Sequence, residues 1–183
     1  MPIHRTRPSK IPGTLVLVIL LASCNVDVTL TRIKTGTVEG DETLHKVGVT
    51  LHQELLNPIE VHKPHKARKL DTINVDHVTL SRTTDELPEG DHDDLLFIRE
   101  LKIVVEPVDS TSYLIRRKIA WYNRDEAATP DPYEINLEID PDINVRPYIL
   151  QGCRFILNSV YEIPEDDISI SIEAVFIGIH NAI

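Results

Sequence analysis

Apolar positions along this chain recur at a spacing of two far more often than at three or four. Val26, Val28 and Leu30 alternate with Asp27, Thr29 and Thr31, and Val47, Val49 and Leu51 repeat the pattern ahead of Asn57-Pro58. Alternation puts every second side chain on one face of a strand, so both runs are predicted strands with one buried face. Gly36 and Gly40 read as turns. Residues 72–82 form another predicted strand, but its phase changes: Ile73 and Val75 point one way, Val78 and Leu80 the other. A period of two cannot do this without a slip, so a β-bulge or break is expected near Asp76-His77.

Residues 83–94 form an acidic loop with Pro88 and Gly90, and 93–98 suggest one helical turn with acids at its N-terminus. Residues 101–106 are a predicted strand ended by Pro107. In 113–122, Ile115, Arg117, Ile119 and Trp121 share one strand face. Arg117 interrupts it, either packing its stem and freeing its head or pairing with a buried carboxylate. Ile135, Leu137 and Ile139 mark one short strand, and 143–150 a short helix despite Pro147. Phe155, Leu157, Tyr161 and Ile163 mark the next strand.

The last strand, 168–179, is the most apolar. Ile168, Ile170, Ile172, Ala174 and Phe176 are placed toward the core; Val175, Ile177 and Ile179 then lie on the opposite face. That second row needs a cover, and a cover from the same domain is the preferred reading. If a partner supplies it, these three residues are the binding candidates. About eight strands with turn signals between them predict a mainly β fold. It is a single antiparallel β-sandwich, Ig-like or jelly-roll-like, with one or two short helical turns, after an N-terminal signal segment.

That segment has its own pattern. Arg5, Arg7 and Lys10 precede an apolar run over 14–22, and no acid occurs before Asp27. A basic leader, a short apolar stretch and small residues ahead of a cut describe a secretory signal peptide. The run is too short to span a bilayer, which takes about 20 apolar residues. Leu21-Ala22-Ser23-Cys24 resembles the lipobox of bacterial lipoproteins at all four positions. The resemblance implies a signal peptide over 1–23 and a lipid-anchored domain over 24–183, with a covalent lipid on the sulfur of Cys24. It also implies export. Asn25 follows where Asp would resemble an inner-membrane retention signal, so an outer-membrane address is expected in a host with two membranes.

Charge narrows the partners. The chain has 19 Lys and Arg against 29 Asp and Glu, and the leader carries three of the cations and no acid. The domain after Cys24 therefore has a formal charge of about −13, which argues against nucleic acid as a general partner. The expected partners are the membrane, through the lipid, and an envelope protein. If Cys24 is acylated, Cys153 has no intramolecular disulfide partner. It reads as a buried, inert thiol.

Three groups of residues could carry chemistry. Asp85, Glu86, Glu89, Asp91, Asp93 and Asp94 offer carboxylates for calcium, but their spacing is not that of an EF-hand, and a solvated loop is the preferred reading. His45, His52, His62, His65 and His77 cluster in sequence without zincin spacing. Lys63, Lys66, Arg68 and Lys69 form a cationic connection. No nucleophile elbow, phosphate-binding glycine loop or other enzyme motif occurs, so no catalytic residue is assigned and no cofactor is expected. The expected function is a non-enzymatic cell-envelope lipoprotein with a structural or binding role. The alternatives are a calcium- or metal-dependent binding or adhesion module using 85–94, and an enzyme with an unrecognised site.

Overall fold

The computed structural model describes residues 26–61, 65–83, 94–127 and 131–180. They form a β-sandwich of two antiparallel sheets. Ten strands run in chain order: β1 (Val26–Val38), β2 (Thr50–Glu54), β3 (Ile59–Val61), β4 (Thr72–Arg82), β5 (Ile98–Pro107), β6 (Arg117–Asn123), β7 (Glu134–Asn136), β8 (Glu138–Ile139), β9 (Cys153–Glu162) and β10 (Ile168–His180). Two short helices, α1 (Glu42–Lys46) and α2 (Arg146–Gln151), and two 3-10 turns, His65–Lys69 and Leu95–Phe97, complete it. The first sheet has the order β1-β10-β4-β7; the second has the order β2-β9-β5-β6-β8, with β3 also on β9.

The core lies between the sheets. Ile73, Val75, Val78 and Leu80 of β4 and Ile170, Ile172 and Phe176 of β10 face Leu101, Ile103 and Val105 of β5 and Phe155 and Leu157 of β9. The phase change in β4 is resolved by the expected bulge. Val75 pairs with Phe176 and His77 with Val175, which leaves Asp76 as the extra residue. Asp76 and His77 are both exposed, whereas Val75 and Val78 on either side are buried.

Several elements depart from the sequence reading. Gly36 is no turn: β1 runs through it, and a Cβ there would sit 2.4 Å from the Leu56 side chain. The glycine serves close packing of the strand against the residues between β2 and β3. Val47 belongs to no strand and is 70% exposed, because Asp41 starts α1 just upstream. Its carboxylate accepts the N–H groups of Thr43 at 2.9 Å and Leu44 at 3.0 Å, and Gly48 turns the chain back at φ +68°. Ile135, Leu137 and Ile139 are not one strand. β7 pairs with β4 in one sheet and β8 with β6 in the other, so the chain crosses the sandwich at buried Leu137.

The shared face drawn through Ile115, Arg117, Ile119 and Trp121 is also broken. β6 begins only at Arg117, Ile115 is 61% exposed, and the β5–β6 register slips opposite Ile103 and Val104. Helix α2 forms within the expected region but starts three residues later, so that Pro147 sits in its first turn, where a missing N–H costs nothing.

Candidate functional site

The two ends of the sandwich are built from different residues. At one end β1 starts, with Val26 paired to His180 at the end of β10. The 65–69 turn and α2 close this end. Arg146 Nε donates to the Ala67 carbonyl at 3.3 Å, and the Val145 N–H donates to the Ile73 carbonyl at 2.8 Å. Asn144 Oδ1 accepts the N–H groups of Ile73 and Arg146, both at 3.0 Å. The β5–β6 loop leans on α2. The Tyr148 hydroxyl donates to the Ile115 carbonyl at 2.6 Å, and the Ser112 hydroxyl donates to Gln151 Oε1 at 2.6 Å.

This end leaves apolar and cationic side chains in water. Tyr113 is 82% exposed, and Val108 and Ile115 are exposed as well. Arg116, Arg117 and Lys118 follow directly, and Arg68 and Lys69 are exposed on the 65–69 turn. Lys118 folds its ammonium over the Trp121 ring, 3.9 Å from the centroid. Glu106 lies between two guanidiniums, 2.6 Å from Arg154 Nε and 3.8 Å from Arg116 Nε. Asp109 Oδ1 accepts the Thr111 N–H at 2.8 Å and closes its own turn.

The opposite end is acidic. Glu39, Asp41, Glu42, Glu165, Asp166 and Asp167 are exposed there. The segments are tied together by Gly40 N–H to Asp167 Oδ1 at 2.8 Å and Asp41 N–H to the Pro164 carbonyl at 3.0 Å. Asp94 belongs to this end. Its carboxylate accepts the Leu96 N–H at 2.9 Å and caps the Leu95–Phe97 turn, so it is occupied structurally. Asp85, Glu86, Glu89, Asp91 and Asp93 lie outside the described residues, as does Cys24 with the lipobox. Among the described residues, no group of three or more His, Cys, Asp or Glu side chains is placed to hold a metal.

Among the described residues, His45, His52 and His77 of the sequence cluster lie apart in space. His45 Nδ1 donates to the Ile163 carbonyl at 2.9 Å at the acidic end. His52 lies on β2 of one sheet, beside Glu100, Lys102 and Asn158 in an open surface cavity of about 220 Å³. His77 lies on β4 of the other sheet, where its Nδ1 is 2.8 Å from Asp76 Oδ2. That exposed pair sits on neighbouring bulge residues. His62 and Lys63 are outside the described residues, and only the backbones of His65 and Lys66 are described.

Cys153 is fully buried, and burial pushes its thiol up to about 12, so at neutral pH it stays protonated and a poor nucleophile. Val175, Ile177 and Ile179 do lie opposite the core face of β10. Val175 is 6% exposed and the other two are half-buried. Their cross-strand neighbours are Thr31 and His77 for Val175, Thr29 and Asn74 for Ile177, and Asp27 and Thr72 for Ile179. β10 is central, so the flanking strands narrow the exposure of the row.

The voids between the sheets, one beside Arg32 and Phe176 and one beside Val61 and Ile149, are about 20 Å³ each. Ligand pockets usually hold roughly 300–1,000 Å³; neither void reaches this, whereas an open cavity of about 380 Å³ at the acidic end, lined by Val38, Asp41, Leu44, Leu55 and Tyr161, does. Tyr113 and Ile115 fall in the predicted strand 113–122, whose alternation hides their place in an exposed loop. The polar run Ser110-Thr111-Ser112 is the signal of a loop.

Fold and surface define an antiparallel β-sandwich with one basic, partly apolar end and one acidic end. No family model and no curated protein matches the chain. Among solved structures it is similar to a BFDV capsid protein, described as decameric in its crystal structure. The identity is 11%, over 84% of this chain and 98% of that chain, with a TM-score of 0.43.

Proposed function

We propose that this protein is a non-enzymatic cell-envelope lipoprotein. It is cut before Cys24, carries lipid on that sulfur, and holds its sandwich at the membrane surface in a structural or binding role. In a host with two membranes the address is the outer membrane. The observation that carries this reading is Leu21-Ala22-Ser23-Cys24, placed directly after an apolar run with a basic leader. The start of β1 at Val26 supports it, because a domain held by Cys24 needs no further tether. Among the described residues no helix is long and apolar enough to cross a membrane. One acyl chain holds a protein only marginally, and stable anchoring takes more than one.

Detergent phase partition of the expressed full chain tests the reading. Wild type is expected in the detergent phase and Cys24→Ala in the aqueous phase. Equal partition of the two proteins would refute it.

A further inference from the structure

We propose that the end of the sandwich from which β1 starts is a membrane-contact face. Tyr113 and Ile115 enter the interfacial layer of an anionic bilayer, and Arg117, Arg68 and Lys69 hold its phosphate-bearing head groups. The inference rests on the anchored reading above and adds an orientation and a lipid class to it.

The tether sets the geometry. Cys24 precedes Val26 by two residues, and Val26 is already paired to His180. An extended chain covers at most about 3.3–3.6 Å per residue, so the anchoring residue lies within about 7 Å of that strand end. This is less than the Debye length of about 8 Å at physiological ionic strength, so charges beside the strand end feel the lipid surface. The acidic end lies at the other pole of β1, which is 13 residues long. At roughly 3.3 Å per residue that is about 40 Å, beyond the reach of an anionic surface at that salt.

The side chains match what such a surface selects. Tyr carries an apolar ring and a polar tip, the combination enriched where membrane meets water. Tyr113 is 82% and Ile115 61% exposed, and both stand on the one loop between β5 and β6. The loop is held ready, since Tyr148 and Ser112 fix it to α2. Glu106 is engaged with Arg154 and Arg116, Asp109 accepts from Thr111, and Asp71 lies 3.4 Å from His180, while Asp142 is exposed at the same end. On a chain of formal charge −10, exposed cations at the same end of the sandwich as the anchor favour a phosphate surface over a second copy of this acidic protein.

The test uses the full, anchored chain in phosphatidylglycerol–phosphatidylethanolamine vesicles. An environment-sensitive fluorophore is placed through Ser110→Cys in the loop or Glu165→Cys at the acidic end. Both sites are exposed, and buried Cys153 does not compete for the label. Flotation reports anchoring, and a spin-labelled lipid reports contact. The expected result is quenching at position 110 at least threefold stronger than at 165. The contrast should be reduced in neutral phosphatidylcholine and in the Tyr113→Ser, Ile115→Ser variant, whose melting temperature should be unchanged. Floated protein with equal quenching at both positions would overturn this inference and leave the anchored reading standing. A contrast unaffected by lipid charge and by the double variant would overturn the contact role of these side chains. Protein that does not float would remove both readings.

Discussion

Both ends of the sandwich close their turns with short polar side chains, yet they leave opposite surfaces in water. At the acidic end Asp41, Asp94, Asp131 and Asp167 each accept backbone N–H groups from a turn. At the basic end Asn144 and Asp109 do the same work. The difference lies in what surrounds those bonds: carboxylates at one pole, and Tyr113, Ile115 and a row of cations at the other. An acidic cluster in the sequence therefore need not mean a metal site, because closing turns already gives these aspartates a structural use. An exposed tyrosine beside cations has no such local use.

The largest expected effect is common to both ends. Phe176 is 4% exposed and its ring lies 5.4 Å from that of Phe155, so Phe176→Ala should cost about 3–5 kcal/mol in urea unfolding. A loss below about 1 kcal/mol would mean that the sheets do not share one core.

Cys153 gives a pH signature near the basic end, at the start of β9. Below about 9 the thiol is protonated in both folded and unfolded chains. Between about 9 and about 12 the unfolded chain releases the proton while the folded one keeps it. Stability should therefore fall as pH rises through that window, and Cys153→Ala should lack that part of the fall. Native wild type should resist alkylation at pH 8 and react once unfolded.

Smaller effects compare the ends directly. Asp41→Ala removes a helix cap at the acidic end and should cost about 1 kcal/mol. Tyr148→Phe removes the hydroxyl that holds Ile115 and should cost about 0.5–1.5 kcal/mol, with faster hydrogen exchange in 109–116. Exchange confined to the acidic end in both variants would break the comparison. Smallest of all, Asp91, Asp93 and Asp94 changed together to Asn should shift stability by no more than about 0.5 kcal/mol, since Asn also caps at position 94. A rise in melting temperature with millimolar calcium in wild type, lost in the triple variant, would instead reveal a calcium site.

The fold class was legible because alternation survives wherever a strand has one wet face. The bulge at Asp76 was legible for the same reason: Ile73 and Val75 cannot share a face with Val78 and Leu80 in an unbroken strand. Strand limits were less legible. Val47 and Ile115 keep the alternating phase of their neighbours, but a capping Asp41 and a hydrogen bond from Tyr148 place them outside any strand. These are tertiary or local side-chain bonds, and alternation carries no trace of them. Gly36 misled because a glycine needed for room beside Leu56 looks the same in sequence as one needed for a turn. The lipobox was legible as a local motif, whereas the basic end joins residues 65–69, 108–118 and 146–151, and only folding brings these together.

The central claim, an anchor on Cys24, meets its most direct test in mass spectrometry of the N-terminal peptide from protein expressed in a bacterial host. The expected result is a peptide beginning at Cys24 that carries the mass of a diacylglyceryl group, with or without a further acyl chain on its amine, and no such peptide from Cys24→Ala. An unmodified Cys24 inside an uncut N-terminal peptide from the membrane-associated protein would contradict it.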